Sequence, residues 1–135
     1  MTVQNRIRAV LKLQEKSEMS MKESELLFEQ GFYGSAISRS YYAMLYLARA
    51  VLATKDISRK KHSGVLSVFA EQFTKPGLIS SDSFKKFRKA FEERLIADYD
   101  FEITKTEKEA KEIMTFASEF SNEVNQFLKT WLEEN

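Results

Sequence analysis

Apolar residues recur at every third or fourth position along most of this chain, which is the spacing of amphipathic helices. The clearest stripe lies near the C-terminus and contains Ile113, Phe116, Ala117, Phe120, Val124, Phe127, Leu128 and Trp131. We predict five helical segments, at about 3–30, 34–55, 65–73, 81–98 and 105–133. Few strand-like segments remain. The pattern therefore predicts an all-α fold, an up-and-down four-helix bundle with one additional short helix, in a single domain spanning residues 1–135.

The predicted helix at 34–55 is apolar on nearly all sides. Between Tyr41 and Ala53 its only charged residue is Arg49. A helix of this kind belongs in the middle of a bundle or against a second partner. We expect the stripe that contains Ile37 and Tyr41 to face the core.

Several polar signals mark the ends and interruptions of the helices. The stretch "EKSEMSMKESE" in the first helix allows a bend or break, and Ser17, Ser20 and Ser24 there share one face. These serines either face solvent or are small enough to let another helix come close. Ser81 or Asp82 is the predicted N-cap of the fourth helix. Thr104 followed by Glu107 reads as a capping box before the fifth.

Composition excludes several classes of function. The chain has 135 residues and no cysteine, so Cys-ligated zinc and a cysteine nucleophile are ruled out. Its net charge of +1 does not indicate a nucleic-acid binder, so such binding would need a local patch. There is one histidine, and no apolar run approaches the roughly 18 residues of a membrane helix. We expect a cytoplasmic protein without metal, cofactor or membrane contact.

Two charged residues interrupt the apolar face of the fourth helix. Phe84, Phe87 and Phe91 recur at helical spacing, and continuing that stripe leads to Arg94 and Asp98. Burying charge is costly unless it is paired. One interpretation is an ion pair between these i, i+4 neighbours at the edge of the core. The other is a polar cleft between helices or subunits, open to solvent, where the guanidinium binds phosphate.

A row of tyrosines and arginines lies on the back of the second helix, namely Arg39, Tyr42, Tyr46 and Arg49. These residue types are enriched in surfaces that become buried on association. The row predicts either a dimer or partner surface, or a second intramolecular face with its hydroxyls reaching water.

A basic loop, "SRKKH", follows this helix and contains Arg59, Lys60, Lys61 and His62. Its charges could hold phosphate, although most such runs are simply solvated. His62 titrates in the range of a general base, but a helix cap is an equally simple role.

The order "LLFEQGFYGSAISRSYYAMLYLARAVL", "KKHSGVLSVFAEQF" and "ERLIADYDF", followed by a long amphipathic helix, resembles the HEPN domain, and in particular its stand-alone prokaryotic branch. The resemblance covers residues 20–128. It implies a helical bundle that commonly forms homodimers. It also implies metal-independent RNase activity, often that of a toxin, and a minimal nucleotidyltransferase as partner and antitoxin.

In this family the active motif is an arginine followed after four to six residues by a histidine, at a cleft between two subunits. Arg94 matches the arginine, whereas Tyr99 stands at the histidine position, so the motif is degenerate. We predict that Arg94 and Asp98, together with Arg39, Tyr42 and Lys61 from the row and the basic loop described above, bind the phosphate of a nucleotide or RNA. Catalysis would fall to Arg94 with Tyr99 or His62. The interface would include Tyr42, Tyr46 and Arg49. A purely structural interaction module is the remaining alternative.

Overall fold

Five α-helices make up most of the computed structural model, which describes all residues 1–135. They are α1 (Val3–Glu29), α2 (Tyr33–Thr54), α3 (His62–Phe69), α4 (Ser81–Tyr99) and α5 (Glu107–Glu134). The chain has no strand, so the all-α prediction is confirmed. The predicted third segment differs most: α3 begins earlier, at His62, and continues into a π-helical turn at Ala70–Thr74. None of the helices is both long and apolar enough to cross a bilayer.

Helix α2 occupies the centre of the bundle. It packs against each of the other four α-helices, and 15 of its 22 residues are buried. The aromatic side chains Phe69, Phe87 and Phe120 come together beside it from three different helices. The nearly uniform apolarity of α2 is explained by this position, as the sequence predicted.

The serine face of α1 lies against α2 rather than in solvent. The Ser17 hydroxyl donates to the carbonyl of Ala43 at 2.8 Å, and Ser24 donates to the carbonyl of Ala36 at the same distance. Small side chains allow the two helices to approach closely, and bonds to backbone oxygens satisfy their buried hydroxyls. The helix continues through the polar stretch without the break that the sequence allowed.

Two predicted helix caps are wrong by one or two residues. The N-cap of α4 is Ser80, whose hydroxyl and amide also bind the Glu123 carboxylate of α5. The capping box of α5 uses Thr106 and Glu109 instead of the predicted pair. Both candidate pairs fit the same local pattern. Tertiary contacts of Ser80 and Lys105 fix the chain just before each helix, so the cap of α4 lies earlier than predicted and that of α5 lies later.

The contact that fixes the start of α5 is a buried lysine. The Lys105 ammonium donates to Glu93 of α4 and lies 3.2 Å from the Glu109 carboxylate. Its side chain is only 4% exposed. This cluster holds the connection between α4 and α5 in place beside the end of α4, where the candidate site lies.

Candidate functional site around Arg94

Helix α4 carries Arg94 into the interior of the protein. Phe87 and Ala90 are fully buried on the same face, and Arg94, one turn later, is 6% exposed. The expectation that its guanidinium opens onto solvent is therefore wrong for the single chain. The apolar spacing correctly placed Arg94 on the buried face of α4. It could not show that rings from another helix would cover the end of this face.

Two polar side chains meet the guanidinium. Its Nη2 donates to the Tyr42 hydroxyl at 2.8 Å, and its Nε lies 3.1 Å from Oδ2 of Asp98. The predicted ion pair between Arg94 and Asp98 is confirmed. The angle at Nε does not meet hydrogen-bond geometry, however, so this buried donor has no hydrogen-bond partner. The other oxygen of Asp98 accepts a hydrogen bond from Ser38 of α2.

Three tyrosine rings surround the same guanidinium. Its Cζ lies 5.3 Å from the ring centroids of Tyr41 and Tyr42 and 5.6 Å from that of Tyr99. Such contacts favour a cation. Burial alone would lower the pKa of Arg94, but the hydrogen bond to Tyr42 and the charge of Asp98 outweigh burial and raise it. The site thus holds a permanent positive charge.

His62 reaches this cluster from a different part of the chain. Its ring centroid lies 5.7 Å from those of Tyr41 and Tyr42, the two rings that also contact Arg94. Burial lowers the pKa of His62, and the charges of Arg94 and Arg49 lower it further. The imidazole is therefore neutral at neutral pH and able to accept a proton. The sequence predicted His62 as a candidate general base but gave no sign that it would lie near Arg94.

Tyr41 was predicted only as a core residue, and it lies directly beneath the cluster. Its side chain is fully buried and its hydroxyl has no hydrogen-bond partner in the protein. Burial raises the pKa of Tyr41 strongly, so the phenol stays protonated. A buried hydroxyl without a partner is uncommon in folded proteins. Nothing in the sequence distinguished Tyr41 from its apolar neighbours.

Tyr99 forms the outer wall of the cluster. It is 71% exposed although its ring lies over the guanidinium. The next aromatic residue along the chain, Phe101, is 95% exposed. The end of α4 therefore presents aromatic side chains to solvent next to a covered arginine.

The back of α2 is partly exposed, and no other helix covers it completely. The Arg39 guanidinium lies 4.7 Å from the Tyr42 ring centroid and the Lys16 ammonium 5.7 Å from that of Tyr46. Arg49 instead donates to the backbone carbonyls of the basic loop, at 2.6 Å to Arg59. Arg49 thus has a structural role in addition to its predicted place in an interface.

The remaining predicted residue, Lys61, is exposed at the N-cap of α3 and makes no side-chain hydrogen bond there. It directly precedes His62. On the other side of the cluster, Asp98 lines a groove of about 590 Å³ formed by the start of α2 and the connection between α4 and α5. No group of three or more histidine, aspartate or glutamate side chains is arranged to hold a metal ion.

Comparison with known proteins shows the family. The HEPN domain profile matches residues 10–127. A protein of Methanocaldococcus jannaschii named "Putative toxin MJ0142" is 40% identical over 121 residues, which cover 90% of this chain and 82% of the relative. A second protein of that organism, "Putative toxin MJ0605", is 32% identical over 94% of this chain and 92% of its own. A "UPF0332 protein" of Thermotoga maritima is 30% identical over 81% and 83%. The chain therefore belongs to the HEPN domain family.

Proposed function

We propose that this protein is the HEPN member of a toxin–antitoxin-like module, a homodimer that binds the phosphate of RNA or of a nucleotide and pairs with a minimal nucleotidyltransferase. The observation that carries the proposal is the environment of Arg94. A permanent cation lies near the end of a helix among three tyrosine rings, a combination of charge and aromatic surface that suits the phosphates and bases of a nucleic acid. The names of the two M. jannaschii relatives support a toxin-like role.

Phosphate is the ligand class that best suits these side chains. Arginine stays charged and presents several donors that fit oxyanions. Arg39 lies on the neighbouring turn of α2, in contact with Tyr42. Cationic groups that track a backbone, combined with rings on which bases stack, are typical of single-stranded nucleic-acid binding.

The dimer uses the back of α2 in this proposal. Tyr42 and Tyr46 are partly exposed there, and Arg39 lies about one turn before Tyr42 in the same row. Tyrosine and arginine on one face are typical interface residues. A second copy placed on this face brings the Arg94 clusters of the two protomers close to the same interface.

A binding measurement tests the proposal. We expect a labelled short single-stranded RNA to bind the purified protein and to dissociate as salt rises, because phosphate contacts release counterions. Arg39→Gln should weaken binding several-fold, since a direct or nearby phosphate contact is lost. The matched control is Lys129→Gln, which removes one exposed charge from α5. Equal binding by the two variants, or no binding of RNA or ATP by the wild type, would reject the phosphate role.

The partner is tested separately by coexpression. We expect the product of a neighbouring minimal nucleotidyltransferase gene to copurify with this chain. Absence of a complex with that product would remove the partner from the proposal and leave phosphate binding untouched.

A second candidate function, metal-independent RNA cleavage, is favoured by one observation. His62 is neutral and contacts the same two rings as Arg94. It could take the proton of a 2′-hydroxyl, whose oxygen forms a bond to phosphorus as the bond from phosphorus to the 5′-oxygen breaks. The leaving 5′-oxygen takes a proton from water, and Arg94 stabilises the charge that develops on the phosphate.

We expect His62→Gln to abolish cleavage without loss of RNA binding. Incubation of RNA with purified wild-type protein, in the presence of a chelator, is the measurement. Intact RNA after prolonged incubation, or equal cleavage by wild type and His62→Gln, would exclude this second function.

A further inference from the structure

The guanidinium of Arg94 has no free approach for a ligand. Its side chain is 8% exposed, and tyrosine rings cover much of its surface. Its polar neighbours are the Tyr42 hydroxyl and the Asp98 carboxylate. An incoming phosphate must therefore replace one of these two groups.

We propose that the Asp98 carboxylate is a built-in competitor for the anion, and that a phosphate binds Arg94 by exchanging with it. This inference rests on the proposed function and adds its regulation. When no ligand is bound, the Asp98 carboxylate is paired with the Arg94 guanidinium, so the site is closed to other anions in the free protein.

Asp98 is the neighbour that can leave. It lies in the last turn of α4, its side chain is 32% exposed, and it lines the 590 Å³ groove, where a displaced carboxylate would be hydrated. Tyr42, by contrast, lies in the middle of α2, the helix that packs against all the others. Moving Tyr42 would disturb the core, whereas moving Asp98 disturbs one helix end.

The geometry of the pair also favours exchange. Oδ2 of Asp98 is 3.1 Å from Nε, yet Nε lacks a properly directed hydrogen bond. A phosphate can approach in the plane of the guanidinium and bind it through two parallel bonds. The exchange replaces a poorly aligned contact with a well-aligned one. Against it acts the hydrogen bond from Ser38 to Oδ1, which holds the carboxylate in place.

Tyr99 moves with Asp98 in this scheme. The two residues are adjacent in the last turn of α4, and the Tyr99 ring covers the guanidinium from the solvent side. Displacement of the turn would uncover the cation and remove its competing anion together.

The test compares RNA affinity of the wild type with Asp98→Asn, using a labelled short single-stranded RNA and fluorescence anisotropy. We expect Asp98→Asn to bind about fivefold more tightly, the factor that corresponds to loss of a partly exposed ion pair. The melting temperature of the same variant should fall, because the pair stabilises the free protein. A merely structural role would lower stability without raising affinity.

Asp100→Asn is the matched control, since it makes the same change of charge two residues away, at an exposed position. Its gain in affinity should be smaller and should vanish at high salt, as expected for a long-range effect. In an Arg94→Met background, Asp98→Asn should give no gain. Ser38→Ala should give a smaller gain of about twofold, because it removes one hydrogen bond that holds the carboxylate.

The outcomes separate this inference from the proposed function. If neither the wild type nor Asp98→Asn binds RNA, both ideas are rejected. If the wild type binds and Asp98→Asn binds no better, the exchange is wrong while phosphate binding stands. A gain in Asp100→Asn as large as that in Asp98→Asn would also overturn the exchange, by assigning the effect to bulk charge.

Discussion

Arg94→Met is expected to lose RNA binding while remaining folded. A methionine retains much of the packing against Tyr41 and Tyr42 but has no charge and no donor. Loss of a charge-assisted contact to phosphate should weaken binding about tenfold or more. The free energy of unfolding should fall by about 2 kcal/mol, the usual worth of a hydrogen bond that involves a charged group such as the one lost to Tyr42. Anisotropy with labelled RNA and thermal melting measure the two effects.

Arg94→Lys supplies the matched control for charge. It keeps a cation, but a point charge cannot donate to Tyr42 and face Asp98 through one planar group. We expect its affinity to lie between those of the wild type and Arg94→Met. If Arg94→Met binds RNA as well as the wild type and only its stability changes, the interaction-module alternative is preferred.

The interaction-module alternative predicts different roles for the back of α2 and for Arg94. In an interaction module, Tyr42 and Tyr46 matter for assembly, whereas Arg94 matters only for stability. Sedimentation of Tyr46→Ala beside Arg94→Met distinguishes the two. Tyr46 is the better probe of assembly because it makes no hydrogen bond with Arg94 and does not contact its guanidinium.

Lys105→Ala is expected to cause the larger loss of stability. The Lys105 side chain is buried against Glu93, which is itself largely buried, and its removal leaves that carboxylate with only the more exposed Lys89 as a cationic partner. We expect a loss of about 3 kcal/mol, or a decrease of roughly 10 °C in melting temperature for a domain of this size. Lys108→Ala, which removes an exposed lysine three residues later, is the control and should change little. Equal melting temperatures for the two variants would show that the buried cluster does not stabilise the fold.

The same cluster predicts a dependence on pH. The hydrogen bond from Lys105 is the main cause that lowers the pKa of Glu93, and bonds to Thr106 and Lys105 lower that of Glu109. Carboxylates with depressed pKa values stabilise the fold above the pKa of the unfolded chain, near 4.3. That contribution is lost as the pH falls through the folded values. The difference between wild type and Lys105→Ala should therefore be full at pH 7 and shrink below about pH 4.

Helix caps show where local sequence stops being sufficient. Thr104 with Glu107 and Thr106 with Glu109 both match the capping-box pattern, and sequence alone could not choose between them. The choice depends on Lys105, whose partner Glu93 lies twelve residues earlier on another helix. A long-range ion pair, invisible to a local pattern, sets where α5 begins.

The candidate site shows the same division between local and long-range information. The spacing of Arg94 and Asp98 placed them on one face of α4, and their ion pair follows from that spacing alone. The contact with Tyr42 spans 52 residues of sequence, and His62 arrives from a separate helix. Periodicity reports which face of a helix is apolar. It does not report which side chain of another helix will meet that face.

The sequence by itself determined the helices, the central place of α2 and the presence of a charged pair at the end of an apolar face, because all three follow from spacing along one chain segment. Only the tertiary structure decided that Arg94 is covered by tyrosine rings and that His62 joins it. These depend on how the helices pack together, and packing is fixed by the sum of many weak contacts between residues distant in sequence.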